Sequence, residues 1–537
     1  MATQFRNTQH VEVSQAEEDI TRQHTAWAVE DISQAEHNGS LRDAVREHWR
    51  SAFWAFIFSL SIVMDGYDLQ LVYSLLALPQ FQKAYGEPYN GGYQLKANWQ
   101  TALNVGSPVG RVIGGILVAW ISDRFSRKTV MAFSLVLTAG CVFITFFAPN
   151  IQILVAGEMI IGLFWGFFNT LAPTYSSELC PVALRGILMS FILTSWGIGQ
   201  LIAQGVIKST SERPDSLSYR IPFAVQWVWP VIILAFLPFA PESPWWLVQK
   251  GRMEDAAKAL RKLGNHDEQR IQNQLLMMDA TNKAEIENEI GTSWWDCFKN
   301  ENLRRTEIVS MAWAIQALCG NSFQGYGIYF LEQAGFPVSL SFSLGVGQSA
   351  LSVFGSCLSW VLIRYSGRRP IFFWGLVILT CIMFIIAILD VAPGYNTTQA
   401  IPQAQGSLLI IWAFFFFTTV AAVSYIIVGE TSATRLRSKT TALGSSLYSA
   451  VGIAFGFSTP DMLNPTALGW RGKTGFWFGS LSLLCCIWAF FRLPECKGRT
   501  YKELDHMFAK DVPARKFKTY QVPEERTEVL ESKLEDA

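Results

Sequence analysis

The stretch Asp123-Arg124-Phe125-Ser126-Arg127-Lys128 lies between two long apolar segments, and it decides how this chain folds. A similar stretch, Arg364-Tyr365-Ser366-Gly367-Arg368-Arg369, follows an apolar segment much further along the chain. Two more motifs recur in the same order. Glu430 lies 252 residues after Glu178, and Glu495 lies 253 residues after Glu242. Motifs that repeat in order at nearly one offset predict that a structural unit has been duplicated.

Long apolar segments flank these motifs throughout the chain. Continuous apolar runs of about 17–25 residues predict membrane-spanning helices. The sequence contains twelve such runs, at 52–75, 101–122, 129–148, 152–173, 187–207, 222–240, 308–331, 343–363, 370–391, 408–428, 441–458 and 474–491. A charged segment divides them six and six, so each duplicated unit has six helices.

We therefore predict an all-α integral membrane protein with twelve transmembrane helices in two pseudo-symmetric halves. Two such halves, related by an axis along the membrane normal, are typical of rocking secondary transporters. The predicted units are an N-terminal tail, a first half, a helical linker, a second half and a C-terminal tail, at 1–50, 51–240, 241–307, 308–491 and 492–537.

The short loops predict the orientation of the chain. Basic clusters follow the even-numbered spans, and positive charge marks cytoplasmic loops. Both tails and the linker are then cytoplasmic. The loop between spans 9 and 10 lies on the other side and carries the sequon Asn396-Thr397-Thr398, which predicts glycosylation of Asn396.

Acidic and basic side chains recur at the cytoplasmic helix ends of both halves. We expect them to join neighbouring helices in one conformation and to release them in another, although charge that only fixes topology is the alternative. The residues are Asp123, Arg124, Arg127, Glu178, Arg185, Glu242, Arg368, Arg369, Glu430, Arg437 and Glu495.

Composition excludes several other classes of protein. Hydrophobic residues make up 50% of the chain and charged residues 16%, against roughly 25% in soluble proteins. Basic and acidic residues number 43 each, so no basic surface for nucleic acid is indicated. The nine cysteines lack metal-ligand spacing, and no nucleotide loop or nucleophile motif is present. We predict no enzyme activity and no cofactor.

Four ionisable residues lie well inside the predicted spans: Asp65, Asp68, Arg111 and Glu158. Charge inside a membrane is costly and is usually functional. Asp65 and Asp68 are three residues apart and share a helix face, so simultaneous ionisation is unfavourable. The four residues predict a proton-coupling site, with a static salt-bridge cluster as the alternative.

Amide side chains predict the binding surface for substrate. Amides offer donors and acceptors together, which suits neutral, hydroxyl-rich ligands, although amides in spans also join helices. Aromatic rings in span 10, Trp412 and Tyr425, can stack on the apolar faces of sugars. The amide candidates are Gln200, Gln204, Gln316, Asn321, Gln324 and Gln348.

Several motifs resemble the sugar porter family of the major facilitator superfamily, and most closely the fungal α-glucoside (maltose-type) permeases. The family motifs are Gly66-Tyr67-Asp68, the Asp-Arg-x-x-Arg-Lys loop, Pro241-Glu242-Ser243 and Pro494-Glu495-Cys496. The segments similar to the permeases are Leu76-Ala77-Leu78-Pro79, Tyr219-Arg220-Ile221-Pro222, Asp296-Cys297-Phe298-Lys299 and Asn302-Leu303-Arg304-Arg305. The resemblance covers about residues 50 to 510.

The resemblance implies roles for individual residues. Asp68 matches the acid associated with proton coupling, and Asp65 matches a second acid of the permeases. Gln316 and Tyr425 match positions that contact or line the sugar site, and Gln204 and Gln348 lie near further such positions. This chain departs from the pattern at four places: Arg111 replaces an acid, Ser445 stands near a missing arginine, Glu158 replaces an arginine, and Ala421-Ala422 replace a Gly-Pro pair.

The expected function is proton-coupled uptake of an α-glucoside or other saccharide by alternating access. The expected partners are the saccharide, protons and the lipid bilayer, for a monomer in the plasma membrane. The Arg111 and Ser445 departures keep two alternatives open. One is a permease or exporter for a non-sugar fungal metabolite, and the other is a facilitator without proton coupling. A nutrient sensor is disfavoured, because such proteins tend to have longer tails.

Overall fold

The computed structural model describes residues 46, 48–89, 92–179, 182–264, 268–289, 293–333, 335–392, 400–433, 436–499 and 501–520. Within these ranges the regular secondary structure is helical apart from one short hairpin of strands β1 (Glu87–Tyr89) and β2 (Gly92–Gln94), which pair antiparallel. The predictions for Asn396, and for the side chains of Asp123 and Arg185, fall outside what the structure describes.

The first half contains the six predicted spans in order, with a short helix before the hairpin and a break in span 6. Its helices are α1 (Trp49–Leu75), α2 (Pro79–Tyr85), α3 (Ala97–Arg124), α4 (Arg127–Phe146), α5 (Ile151–Leu179), α6 (Val182–Thr210), α7 (Leu217–Val225) and α8 (Val228–Phe236), the last continuing into a turn of 3₁₀ helix, Leu237–Phe239.

The linker forms three helices, α9 (Pro244–Gln249), α10 (Met253–Lys262) and α11 (Glu268–Glu289), followed by a 3₁₀ helix, Trp294–Phe298. They bury a small apolar core of their own, which includes Trp246, Leu260 and Ile271. Charged side chains cover the outside of α10. The linker is thus a packed unit rather than an extended connection.

The second half repeats the pattern, with a break in span 7 and another in span 10. Its helices are α12 (Asn300–Gln316), α13 (Ser322–Gly325), α14 (Gly327–Gln333), α15 (Val338–Tyr365), α16 (Arg368–Val391), α17 (Ala400–Thr418), α18 (Val420–Thr431), α19 (Arg437–Leu463) and α20 (Thr474–Arg492). Beyond it, α21 (Tyr501–Ala509) packs against the start of α12, where Asp505 pairs with Arg305.

Within the described residues, nine helices are long and apolar enough to cross a membrane. The remaining predicted spans, 5, 7 and 11, are also helical, as α6, α12 to α14 and α19. We use "linker end" for the side that bears α9 to α11 and "hairpin end" for the side that bears β1 and β2.

The break in span 7 has a local cause. Ala317–Asn321 forms a π-helical turn in which Gly320 has φ +111°, a conformation that strains residues with a side chain. A methyl group at Gly320 would also collide with Met383. The turn separates Gln316 from Asn321 and Gln324, so the amides of this span do not lie along one continuous helix face.

The first half is held by close backbone contact near the Gly66-Tyr67-Asp68 motif. A methyl group at Gly66 would collide with the carbonyl oxygen of Trp196, so α1 and α6 meet backbone to backbone. The Tyr67 hydroxyl donates to the Pro222 carbonyl oxygen at 2.7 Å. These contacts fix the rotation of α1 and thereby the direction in which Asp65 and Asp68 lie.

Candidate functional site

Asp65 lies in a polar network between three helices of the first half. It is fully buried on α1 and accepts a charge-assisted hydrogen bond from Arg111 of α3 at 2.5 Å. Asn169 of α5 donates to its second oxygen at 3.1 Å. The Arg111 side chain keeps 28% of its surface exposed, so the pair lies at the edge of an accessible space. Asp65 is therefore held as a paired carboxylate.

Asp68, one turn further along α1, has different partners. Trp165 of α5 donates its indole N–H to one oxygen at 2.7 Å, and Gln226 donates to the other at 2.8 Å. Gln226 lies at the break between α7 and α8, where span 6 is interrupted. Two neutral donors stabilise the ionised carboxyl by hydrogen bonding but leave its charge uncompensated.

Glu158 is the third buried acid of this half. It is fully buried on α5, and within the described part of the chain neither carboxylate oxygen has a hydrogen-bond partner. A negative charge on Glu158 would be repelled by a negative charge on Asp68. The structure pairs Arg111 with Asp65, and the two aspartates do not share a hydrogen-bond partner.

Amides of span 5 extend the polar surface toward the hairpin end. Gln204 is fully buried on α6 and donates to the Ser74 hydroxyl at 3.0 Å, as does Gln70 at 3.2 Å. The Gln204 carbonyl oxygen is buried and, within the described residues, without a partner. It lies beside Gly345 of α15, which places it at the boundary between the halves. Gln200, one turn earlier, is partly exposed.

The amides of spans 7 and 8 are the candidates for binding substrate in the second half. Gln316 is 6% exposed, and its amide nitrogen has no partner in the described structure. Gln324 and Gln348 are similarly buried, and the Gln348 carbonyl oxygen lies beside Gly327. Asn321 is partly exposed. The halves thus offer an unpaired acceptor, on Gln204, and an unpaired donor, on Gln316.

Aromatic rings form the wall of the second half opposite Arg111. Tyr425 of α18 is 48% exposed and packs edge-to-face on Trp313, with ring centroids 4.9 Å apart. Tyr448 contacts the same Trp313 ring at 5.8 Å. Trp412 is different, because it is fully buried and stacks on Phe416. Of the two aromatic candidates in span 10, Tyr425 is the one that a ligand can reach.

Hydrogen bonds close the hairpin end between the halves. Asn104 donates to the Tyr326 hydroxyl, and Gln100 donates to the Tyr329 hydroxyl at 3.3 Å. Asn464 of the second half donates to the Leu95 carbonyl oxygen at 2.9 Å. Because these hydrogen bonds join the two halves beside the hairpin, the described conformation is closed at this end.

The linker end carries equivalent ion pairs in the two halves. Arg127, the first residue of α4, lies 3.4 Å from Glu178 at the end of α5. Arg368, the first residue of α16, lies 2.8 Å from Glu430 at the end of α18. Both pairs join the start of an odd-numbered span to the end of the following even-numbered span. The predicted bridges between neighbouring helices are therefore present in this conformation.

The remaining residues of this group have mixed surroundings. Glu495 accepts hydrogen bonds from the backbone N–H groups of Arg368 and Arg369, at 2.9 and 3.2 Å, and so caps α16. Glu242 accepts from the backbone N–H of Ser243 at 3.2 Å. Arg124 is exposed and Arg437 partly exposed.

Comparison with known proteins places this geometry in a family. Residues 54–508 match the model of the family described as "Sugar (and other) transporter". The chain belongs to this family. It is therefore a multi-pass membrane transporter and not an enzyme.

Curated members of the sugar transporter family from Saccharomyces cerevisiae are similar along almost the whole chain. A general α-glucoside permease is 33% identical over 91% of this chain and 81% of its own length. A maltose permease is 32% identical over 92% and 81%. An α-glucosides permease is 34% identical over 92% and 84%. The family resemblance seen in the sequence motifs is confirmed.

Solved structures agree with the predicted fold. The proton:xylose symporter XylE superposes with a TM-score of 0.68 at 20% identity, covering 87% of this chain and all of XylE. An inward-open form of XylE from E. coli gives a TM-score of 0.66 at 21% identity, with coverage of 85% and 99%. The twelve-helix major facilitator fold is confirmed.

Three functional contacts were missed by sequence reasoning: Trp165, Asn169 and Gln226. Asn169 follows Trp165 by four residues, and Glu158 precedes Trp165 by seven. Glu158, Trp165 and Asn169 therefore share one face of α5. That spacing could have identified the face that meets α1. Gln226 gave a weaker signal, as a single amide in the sixth predicted span.

Proposed function

We propose that the protein imports a neutral saccharide of the α-glucoside class together with protons, by alternating access. One observation supports this most directly. Buried amides on opposite halves, Gln204 and Gln316, present an unpaired acceptor and an unpaired donor, and the Gln204 oxygen lies beside Gly345 of the other half. Unpaired buried amide groups are costly unless a polar ligand binds them, and hydroxyl groups of a sugar can serve both.

The charges near this boundary favour a neutral ligand over an ionic one. Arg111 is the base that reaches the accessible space, and Asp65 already neutralises it. Tyr425, Trp313 and Tyr448 provide aromatic faces on the opposite wall. Aromatic faces and amides together suit a ring that is apolar on its faces and hydroxylated at its edge. The names of the yeast relatives support α-glucosides within that class.

The buried acids support proton coupling. Asp68 and Glu158 lie inside the membrane region without a cationic partner among the described residues. A carboxyl that gains and loses a proton there changes the charge of the region that moves between conformations. Proton coupling needs no nucleotide or metal, in keeping with the sequence.

Uptake measurements test the proposal. The protein is expressed in cells that lack their own sugar permeases, and uptake of labelled maltose, sucrose, trehalose and glucose is followed with and without a proton uncoupler. We expect accumulation of at least one α-glucoside that the uncoupler abolishes. Surface expression without uptake of any saccharide would favour the non-sugar permease. Uptake that the uncoupler leaves unchanged would favour the facilitator.

We also propose that the protein is a monomer in the plasma membrane, with both tails and the linker 241–307 in the cytoplasm. An epitope tag placed at 397 is expected to bind antibody on intact cells, and a tag within 255–290 is expected to bind after permeabilisation. Finding both tags on the same side would overturn the twelve-span topology, because an odd number of spans separates them.

A further inference from the structure

The surroundings of Glu158 favour a neutral, protonated carboxyl over an ionised carboxylate. Its side chain has no solvent exposure, and within the described residues neither oxygen accepts a hydrogen bond. A buried carboxylate that lacks donors is strongly destabilised relative to water, whereas the protonated acid is neutral. The geometry around Glu158 therefore favours the protonated form in this conformation.

The other two acids have the opposite surroundings. Asp65 accepts hydrogen bonds from Arg111 and Asn169. Asp68 accepts them from Trp165 and Gln226. Hydrogen bonds donated to a carboxylate stabilise its ionised form. Among the three acids, the described structure thus provides donors for two and none for Glu158.

Glu158 is also placed to respond to Asp68. It lies seven residues from Trp165 on the same face of α5, about 10 Å along the helix axis. Negative charges on the Glu158 and Asp68 carboxyls would repel each other. The other titratable or charged groups that act on Asp68 are Asp65, Arg111 and Tyr67. A negative charge on Asp68 disfavours a second negative charge on Glu158. Protonation of one of the two carboxyls is therefore more favourable than ionisation of both.

We propose that Glu158 is a proton-binding residue of the transport cycle, which carries the proton in the conformation closed at the hairpin end while Asp68 stays ionised. This rests on the proposed proton coupling and adds which carboxyl holds the proton. Binding forms an O–H bond on Glu158 with a proton taken from water. Release breaks that bond and returns the proton to water, so one proton crosses in each cycle and the charge of Glu158 alternates between 0 and −1.

Infrared spectroscopy of the purified protein tests the protonation directly. We expect a C=O stretching band of a buried, protonated carboxylic acid near neutral pH in the wild type. Glu158→Gln should remove the band, Glu158→Asp should shift it, and Asp68→Asn should retain it. A band that survives in Glu158→Gln, or that disappears in Asp68→Asn alone, would overturn the assignment.

Transport in proteoliposomes tests whether the proton moves. An imposed pH gradient drives maltose entry, and an internal pH dye follows proton entry. We expect Glu158→Gln to lower gradient-driven accumulation at least tenfold, to abolish maltose-dependent proton entry and to retain maltose counterflow. Glu158→Asp should restore part of the accumulation, which a purely packing role would not require.

The outcomes separate this inference from the proposed function. Wild-type proton entry together with normal accumulation by Glu158→Gln would overturn the role of Glu158 and leave proton coupling intact. Maltose transport without proton entry in the wild type would overturn the coupling itself, and the role of Glu158 with it. Loss of protein from the membrane in Glu158→Gln leaves Glu158→Asp and the wild-type infrared band as the deciding measurements.

Discussion

The guanidinium of Arg111 lies 2.5 Å from the carboxylate of Asp65, and this pairing divides the buried charges into two groups. One group is a neutral ion pair at the edge of the accessible space. The other consists of Asp68 and Glu158, which have no basic partner in the described residues. Arg111 therefore neutralises one aspartate and leaves the charge of the other uncompensated.

Arg111→Ala is expected to destabilise the protein by roughly 3–5 kcal/mol, because it leaves the buried Asp65 carboxylate without its cation. Asp65→Asn in the same chain should recover most of the loss, since both charges are then absent. Thermal unfolding of the purified single and double variants in detergent measures the effect. A double variant that is as unstable as Arg111→Ala would show that Arg111 acts through packing rather than through the ion pair.

Asp68→Asn is expected to abolish uphill accumulation while leaving some downhill exchange of substrate. The asparagine removes the charge that Trp165 and Gln226 stabilise, and with it the charge that acts on Glu158. Accumulation against an imposed pH gradient, compared with counterflow without a gradient, measures the two activities. Equal and pH-independent transport in the wild type and in Asp68→Asn would show a uniporter.

Gln316→Ala is expected to weaken substrate affinity without removing the protein from the membrane. Loss of one hydrogen bond to a neutral ligand costs roughly 0.5–1.5 kcal/mol, or about 2- to 13-fold in affinity. Competition binding of maltose against a labelled analogue measures the change. Gln403→Ala, an exposed amide of α17, is the matched control and should be silent. If Gln316→Ala and Gln348→Ala were both silent too, these amides would be joining helices instead of binding substrate.

The sequence predicted the helices better than their contacts. The apolar runs identified all twelve spans, because membrane burial demands continuous hydrophobic length. The break at Gly320 was not predicted, since glycine permits a positive φ but the apolar pattern does not show where the chain adopts one. Span 6 likewise divides near Gln226, whose amide is needed at Asp68. Hydrophobicity gives no sign of either break.

The same limit applies to the candidate site. The four buried charges could be identified from the sequence, because ionisable residues are rare in apolar runs. Their pairing could not, since it depends on the rotation of α1 against α3 and α5. Trp165 illustrates the point. An indole in an apolar span is indistinguishable from lipid-facing or core tryptophan until α5 is placed beside Asp68.

Glu332 gives the closed hairpin end a sensitivity to pH. It lies one residue beyond the predicted seventh span, is partly buried, and accepts hydrogen bonds from the Gln82 amide at 3.3 and 3.5 Å. Burial raises the pKa of Glu332 from 4.5 to about 8, against the opposing effect of Gln82. The contact joins α2 of the first half to α14 of the second, so it breaks when this end opens.

The closed state should therefore lose stability as the pH at the hairpin end rises. Opening exposes Glu332 to water and returns its pKa toward about 4.5. The closed state binds the proton more tightly, so it is favoured at low pH. The free-energy advantage of the closed state falls by at most about 1.4 kcal/mol per pH unit between about pH 4.5 and 8, and then levels off.

Spin labels at Glu87 and Leu468, both exposed at the hairpin end, report opening through their distance in a cysteine-free background. We expect the longer distance to gain population as pH rises through this window, and Glu332→Gln to flatten the response. An unchanged pH response in Glu332→Gln would assign the sensitivity to another group.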